Sequence, residues 1–189
     1  MTSPHYLNNQ FLIAMPALAD SNFSHTVSYL CQHNEEGALA IVINRPTGMT
    51  LANIFEQMGI ETSCKEVQDT PIFMGGPVQQ ERGFIIHSSL ETEAWDSSIS
   101  VSDSISLTSS RDILEAIANN EGPENYLIAL GYAGWGAGQL EKEILSNAWL
   151  NTPFQHDILY NTPVKQRWTA AANQLGVDIN QLTAVAGHG

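Results

Sequence analysis

Three glycines in one short stretch of the chain are the first candidate for binding chemistry. Gly134, Gly136 and Gly138 follow an apolar run and precede a polar segment that begins at Gln139. Bare backbone amides at the start of a helix attract phosphate groups. A dinucleotide-binding fingerprint, however, requires a glycine where Gln139 stands, and the Gly-Lys-Ser/Thr of a phosphate-binding loop is missing. The stretch is better interpreted as a tight turn between a strand and a helix, in which Trp135 is either a core side chain or the wall of a pocket.

A second candidate is Arg45, which lies between Asn44 and Pro46 directly after a continuous apolar run at residues 38–43. An arginine at the end of a strand can hold a carboxylate or a phosphate through two parallel hydrogen bonds. Acidic residues outnumber basic residues by 20 to 7. We therefore favour a structural ion pair between Arg45 and a carboxylate, and keep the anion clamp as the alternative.

The remaining reactive side chains form no recognisable catalytic or metal-binding set. His25 and His33 would lie about 12 Å apart on the helix that we predict there, which is too far for one metal ion. Cys31 lies on the apolar stripe of that helix, so we expect a buried and unreactive thiol. Glu141 and Glu143 are two residues apart and point to different sides of a helix, which does not make an acid/base couple. We expect no metal, no cofactor and no catalytic residues.

Apolar patterns predict the elements that position these residues. Strands are predicted at residues 11–15, 38–43, 72–74, 84–87 and 126–130, and as a pair within residues 97–108. Helices are predicted at residues 23–31, at 51–58 between Thr50 and Gly59, from Ser109, from Gln139, and after Thr162 with Pro163 at the first helical position. This mixed order predicts one α+β (irregular α/β) domain over residues 1–189, with about four or five helices.

Composition and charge argue against two classes of partner. The formal net charge is −13, and the seven Lys and Arg residues are scattered singly along the chain. Affinity for nucleic acids comes largely from Lys and Arg at phosphates, so we expect no direct contact with DNA or RNA. No apolar run approaches the length of about 20 residues that spans a bilayer. The two cysteines, Cys31 and Cys64, fit a reducing compartment, and we expect a cytoplasmic protein without membrane contact.

Six segments taken together resemble the AlgH/YqgE-like family of bacterial proteins, and the resemblance covers nearly the whole chain. The segments are FLIAMP at 11–16, ALAIVINRPT at 38–47, MGGPV at 74–78, RGFIIHSS at 82–89, GYAGWGAGQLEKEI at 131–144 and WL at 149–150. The resemblance implies a compact fold in which a bifurcated, mostly antiparallel sheet curls into a pseudo-barrel covered by helices. Members of the family have been described as transcriptional regulators. The family offers no established catalytic residues that could be carried over to this chain.

The motif residues lie near the ends of predicted strands, where ligand pockets commonly form. We predict a ligand site that includes Asn44, Arg45, Gly75, Gly76, Gly134, Trp135 and Gln139. The expected function is that of a cytoplasmic, non-enzymatic binding or regulatory module that acts through a protein partner or a small ligand. One alternative is an enzyme of unassigned class in which Arg45 clamps an anion and a carboxylate acts as the base. Another is an interaction protein without a pocket, in which the same residues only pack.

Overall fold

A computed structural model describes residues 5–89 and 95–182 of the chain. The strands in these residues are β1 (Gln10–Ala14), β2 (Val27–Asn34), β3 (Gly37–Val42), β4 (Pro46–Thr50), β5 (Pro71–Met74), β6 (Val78–Ser88), β7 (Ser98–Ser100), β8 (Ile105–Thr108), β9 (Tyr126–Gly136) and β10 (Trp149–Pro153). The α-helices are α1 (Leu51–Met58), α2 (Lys65–Gln68), α3 (Arg111–Ala118), α4 (Gln139–Leu145), α5 (His156–Tyr160) and α6 (Arg167–Asn173), and a 3-10 helix spans Val164–Gln166. None of the helices in this part of the chain is both long and apolar enough to cross a membrane.

The long strand β9 joins the two halves of the sheet. Up to Leu130 it lies between β6 and β5, and from Ala133 onward it pairs with β3. The strand order is β10-β1-β2-β3-β9-β6-β8-β7, with β5 on β9 and β4 on β5. Among the described strands the β5–β9 pairing is parallel and the others are antiparallel. The predicted α+β fold, with a bifurcated and curled antiparallel sheet, is confirmed. The described residues form six α-helices and not the four or five that we predicted, because α2 and α5 are short and leave little periodic signal.

Three groups of buried side chains attach the helices to this sheet. The largest joins most of the strands to α5 and α6, and it includes Tyr29 and Trp168. A second group packs α1 and α3 on the opposite face of β5, β6 and β9, through side chains such as Phe55 and Ile113. A third group lies under α4 around Leu140. Burial of each such apolar side chain stabilises the fold by about 1.5–3 kcal/mol relative to exposure.

Local signals set the ends of α1, and the helix predicted there is confirmed. The Thr50 backbone N–H donates to Asn53 Oδ1 at 2.8 Å, which satisfies a donor at the start of the helix. Gly59 ends the helix in the left-handed conformation with φ of 69°, where a side chain would be unfavourable. The strand pair predicted within residues 97–108 is also confirmed, since Ile99 pairs with Leu107 across β7 and β8.

The helix predicted at residues 23–31 is wrong, because this segment forms a turn followed by strand β2. Val27, Tyr29 and Cys31 face the largest core group, whereas Leu30 faces the group under α4. A strand that is buried on both faces has apolar side chains at consecutive positions, and such a run also contains helical spacings. The 12 Å separation that we derived for His25 and His33 on a helix therefore does not apply.

The helix predicted from Gln139 is confirmed, since α4 begins there, but the strand-to-helix turn before it is shorter than predicted. Strand β9 continues through Gly136, and the turn is confined to residues 137–138. Close strand packing requires a glycine on the paired strand, because a Cβ at Gly37 would lie 2.1 Å from the Trp135 carbonyl oxygen. In the stretch itself, Cβ atoms at Gly134 and Gly136 would meet no atom closer than 3.3 Å, and Gly138 has a left-handed φ of 73°.

The helix start predicted at Thr162 is wrong. After Thr162, Pro163 has an extended conformation with ψ of 139° and precedes a 3-10 helix, so that α6 begins only at Arg167.

Candidate functional site

Asn44 and Arg45, at the end of β3, hold the loop that precedes β2. Asn44 Oδ1 accepts a hydrogen bond from the Val27 backbone N–H at 3.0 Å, and its Nδ2 donates to the His25 carbonyl at 2.9 Å. Both groups belong to the start of the neighbouring strand. The Asn44 side chain therefore replaces a backbone pairing where the strands separate.

Arg45 binds carbonyl oxygens rather than the carboxylate that we expected. Its Nη1 donates to the carbonyls of Ser21 and Asn22 at 2.8 and 2.5 Å, and its Nη2 donates to the carbonyl of Ser24 at 2.8 Å. Within the described residues no carboxylate lies within 4.0 Å of Arg45. The loop directs three carbonyls toward the strand end, and they engage both terminal nitrogens of the guanidinium. An anion clamp at Arg45 would have to displace these bonds.

Gly75 and Gly76 allow the segment after β5 to lie directly against β9. The Gly75 N–H donates to the Leu130 carbonyl at 2.8 Å, and its carbonyl accepts from the Val42 N–H at 2.8 Å. A Cβ on Gly76 would lie 2.0 Å from the carbonyl carbon of Tyr132, which no side chain tolerates. Both glycines are buried. Their arrangement serves the close contact of two backbones.

Trp135 and Gln139 belong to a hydrogen-bonded cluster around a single carboxylate. Glu143 Oε1 accepts the indole N–H of Trp135 at 3.2 Å and that of Trp149 at 3.1 Å. Gln139 Nε2 donates to Glu143 Oε2 at 2.9 Å, while Gln139 Oε1 accepts from the Gly136 N–H at 2.9 Å. The carboxylate thus connects α4 to β9 and β10. We call Trp135, Trp149, Glu143 and Gln139 the tryptophan–glutamate cluster.

Trp135 is mainly a core side chain. It is 6% exposed, and Phe23 stacks on it with ring centroids 6.1 Å apart. Its outer edge and Gly134 line a shallow cavity of about 410 Å³, together with polar residues such as Gln32 and Glu36. The seven predicted site residues do not surround one cleft. They lie at the loop before β2, at the contact between β5 and β9, and around α4, and two of them, Gly134 and Trp135, line the 410 Å³ cavity.

A second carboxylate of α4 binds a buried histidine. His33 Nδ1 accepts the Leu7 backbone N–H at 3.0 Å, so a proton on Nε2 can be donated to Glu141 Oε1 at 2.5 Å. Hydrogen bonds from its own backbone N–H and from His33 hold the pKa of Glu141 below its ordinary value. Glu141 and Glu143 have separate hydrogen-bond partners. No three His, Cys, Asp or Glu side chains of residues 5–89 and 95–182 are placed to hold a metal ion.

Cys31 is buried, as predicted, although it lies on a strand. Its side chain is inside the largest core group, and this burial raises the pKa of its thiol. A protonated thiol is a poor nucleophile. Cys64 is half-buried, and neither cysteine forms a disulfide. Cys31 therefore offers no activated nucleophile.

A deeper groove lies between α1, α3 and the sheet, at a place that the sequence did not indicate. Its volume is about 500 Å³, within the range of about 300–1,000 Å³ that is usual for small-molecule sites. Seven apolar side chains line it, namely Met49, Ile54, Met58, Ile85, Leu114, Ile128 and Leu130. We call this cavity the α1–α3 groove.

Two arginines stand at the rim of the α1–α3 groove. Arg82 Nη2 donates to Ser109 Oγ at 2.8 Å, and Arg111 Nε donates to Glu115 Oε1 at 2.6 Å. Both arginines are exposed, and one acidic residue, Glu81, also lines the groove. A guanidinium has five N–H groups, and each of the bonds just described uses one of them. The groove therefore combines an apolar interior with cationic donors at its edge.

Sequence spacing gave little signal for this groove. Arg82 and Arg111 are far apart in the chain, and each is a single base among acidic and polar neighbours. They come together because β6 and the start of α3 are brought side by side when β8 pairs with β6. The available signal was the amphipathic character of α1 and α3, which predicts a shared apolar face on the sheet.

Comparisons with known proteins give consistent results over the whole chain. A family model described as AlgH-like matches residues 11–180. A UPF0301 protein of Thioalkalivibrio sulfidiphilus is 56% identical over 188 residues, which cover 100% of both chains. The solution structure of the AlgH protein from Pseudomonas aeruginosa is 47% identical, covers 100% of this chain and 99% of that chain, and superimposes with a TM-score of 0.79. A crystal structure of a Corynebacterium diphtheriae protein, 15% identical, shares the fold with a TM-score of 0.73 over 96% of this chain and 94% of that chain.

Proposed function

This chain belongs to the AlgH-like family of bacterial proteins, and on that premise we propose that it is a non-enzymatic binding module whose ligand occupies the α1–α3 groove. The proposed ligand is a small amphiphilic anion, with an apolar body and one carboxylate or phosphate group. The observation that supports this most directly is the placement of Arg82 and Arg111 at the rim of an apolar groove in a chain with a net charge of −13.

Charge explains why the ligand should be an anion of this shape. An apolar body placed against the groove would gain about 25 cal/mol for each Å² of apolar surface removed from water. A charged head group at the rim would receive charge-assisted hydrogen bonds from the arginines, which are stronger than neutral ones. The wider depression of about 720 Å³ between α1 and α3 is lined by Glu56 and Glu61 and by no basic side chain, so it does not favour an anion.

The same proposal describes how a regulatory role would operate. Two arginines beside Glu81 and Glu115 are too few to attract a nucleic-acid backbone, for which many cationic contacts are needed. Regulation would therefore pass through the bound ligand or a protein partner, and not through direct DNA contact. We place the protein in the cytoplasm, because both cysteines are unpaired and the fold does not depend on a disulfide.

No particular observation favours the alternative of an enzyme that uses Arg45 as an anion clamp. The terminal nitrogens of Arg45 already donate to three backbone carbonyls. The role of the seven motif residues in ligand binding stays a prediction. Their contacts with neighbouring loops and strands support a role in packing.

Thermal denaturation with decanoate, below its micelle-forming concentration, tests the proposal. At 100 times the dissociation constant a ligand adds about 2.7 kcal/mol to stability, which corresponds to an increase in melting temperature of about 5–11 °C for a chain of this size. Decanol, which has no charge, should give a much smaller increase. Decyl phosphate distinguishes a phosphate from a carboxylate head group.

Three variants locate the binding. The double variant Arg82→Gln and Arg111→Gln should lose most of the response to decanoate, whereas Lys142→Gln on α4 should keep it. Gly83→Leu should block the groove without disturbing the backbone, because a Cβ at Gly83 meets no atom within 4 Å. An equal response in wild type, the double arginine variant and Gly83→Leu would refute the proposal, as would no response to any of the amphiphiles.

A further inference from the structure

A buried arginine lies beside a smaller cavity, on the face of β5 and β9 opposite the α1–α3 groove. Arg167 is 6% exposed. Its Nε donates to the Thr162 carbonyl at 3.0 Å, and its Nη1 donates to the carbonyl of Ile43. The guanidinium carbon lies 5.1 Å from the centre of the Phe73 ring. Within the described part of the chain its Nη2 has no acceptor, and no carboxylate pairs with it.

The missing carboxylate is unusual for a chain of this composition. Burial of an unpaired charge costs several kcal/mol, so buried arginines normally have an acidic partner. Twenty acidic residues are present in this chain. Two backbone carbonyls compensate part of the desolvation of Arg167, but they carry no charge. The same burial lowers the pKa of Arg167 from its ordinary value.

Tyr160, which also lines the cavity beside Arg167, carries a second polar group with unused hydrogen-bonding capacity. The Tyr160 hydroxyl is buried and makes no hydrogen bond to the described residues. Tyr160 and Arg167 both line a cavity of about 170 Å³, whose other walls include Phe73, Leu127 and Leu159. This volume corresponds to about five or six water molecules in the liquid. Exposed Pro71 at one side marks where the cavity meets the surface.

We propose that this cavity is a binding site for a small organic monocarboxylate, held by Arg167 and Tyr160. The carboxylate would supply the missing negative charge and accept hydrogen bonds from the guanidinium and from the Tyr160 hydroxyl. Its short apolar body would pack against Phe73, Leu127 and Leu159. No carboxylate of the described residues lines the cavity, so none repels such a ligand. This site is separate from the α1–α3 groove and does not rest on the function proposed for that groove.

Titration with isobutyrate, followed by the backbone amide NMR signals of Leu127 and Tyr160, tests this inference. We expect saturable shifts at these signals and none with isobutyramide, which has the same shape and no charge. Tyr160→Phe removes only the hydroxyl and leaves the ring in place, so it should fold. A lost hydrogen bond to a charged group should weaken isobutyrate binding about 10- to 100-fold. Tyr132→Phe, outside the cavity, should bind as wild type does.

Two further arms complete the test. Arg167→Met should abolish the shifts if the variant folds, and the Tyr160→Phe result decides the question if it does not. The groove variant Arg82→Gln should bind isobutyrate with unchanged affinity, which separates this site from the groove. Unsaturable shifts, equal affinity in wild type and Tyr160→Phe, or equally tight binding of inorganic phosphate would each overturn the assignment.

Discussion

Replacement of Glu143 by alanine should be strongly destabilising, because one carboxylate holds two buried indole groups. Glu143 Oε1 accepts the N–H groups of Trp135 and Trp149 at 3.2 and 3.1 Å, and these side chains are 6% and 2% exposed. Loss of the acceptor leaves both donors unsatisfied, at a cost of about 1–3 kcal/mol each. Glu143→Ala should therefore reduce the free energy of unfolding by about 2–6 kcal/mol. That is a large part of the 5–15 kcal/mol that is typical of a domain.

The conservative variant Glu143→Gln separates the acceptor from its charge. A glutamine keeps an oxygen in the same place but loses the charge assistance, so we expect a decrease of only about 1–2 kcal/mol. Urea denaturation followed by far-ultraviolet circular dichroism is the appropriate assay, because tryptophan fluorescence is itself sensitive to the substitution. Glu121→Ala is the matched control, since Glu121 is exposed and its side chain makes no hydrogen bond to the described residues. Its effect should stay within about 0.5 kcal/mol.

A double-mutant cycle with Trp149→Phe tests whether the loss of stability in Glu143→Ala comes from the hydrogen bond between the Trp149 indole N–H and Glu143. Trp149→Phe removes one of the two donors, so Glu143→Ala should cost less in that background than in wild type. The difference should be about 0.5–3 kcal/mol, the usual range for residues in direct contact. A decrease for Glu143→Ala no larger than that for Glu121→Ala, or a cycle without coupling, would refute the reasoning.

Three other outcomes follow from the structure. Gly76→Ala should cost several kcal/mol in urea denaturation, because its Cβ would lie 2.0 Å from the backbone of β9, while Gly83→Ala should be nearly neutral; equal effects would contradict this account. Glu141→Gln should flatten the acid side of the stability curve. Hydrogen bonds lower the pKa of Glu141 in the folded state, so its contribution is present above the ordinary pKa of 4.5 and is lost as the pH falls through the lower folded value. The urea midpoint of this variant should fall less than that of wild type between about pH 5 and pH 3, and parallel curves would count against the hydrogen bonds from its own backbone N–H and from His33 as the source of the lowered pKa. Cys31 should react with a thiol reagent only after denaturation, since burial raises the pKa of its thiol and excludes the reagent; labelling in the native protein at the rate of the other cysteine would disprove this.

Prediction from sequence succeeded where the signals were local. The cap at Thr50, the apolar side of α1 and the stop at Gly59 act within a few residues of one another, and the helix has the predicted bounds. The family resemblance, carried by six short segments, is confirmed by the match over residues 11–180, and it implied the curled sheet. The prediction at residues 23–31 was wrong because β2 is buried on both faces. Such a strand lacks the alternation of apolar and polar residues that distinguishes a strand from a helix.

The candidate site was less accessible to prediction, because its residues are separated along the chain. We predicted Arg45 as a ligand-binding residue because pockets commonly form at the ends of strands. In the structure the loop before β2 supplies the carbonyls that bind its guanidinium. In the sequence Arg82 and Arg111 are isolated basic residues, and the pairing of β6 with β8 places both at the α1–α3 groove. In the sequence Arg167 is one of seven scattered basic residues. Only the fold shows that it is buried, and no carboxylate of the described residues pairs with it.

By itself the sequence determined the composition of the surface, the family and the elements whose caps and apolar faces are local. The net charge of −13 follows from the amino-acid composition alone. So does the small number of basic residues, which argues against a polyanionic partner. Only the tertiary structure decided which of the few arginines face a groove, a set of carbonyls or a small cavity. The physical reason is that desolvation and hydrogen bonding depend on neighbours distant in the chain, and strand pairing across the curled sheet sets those neighbours.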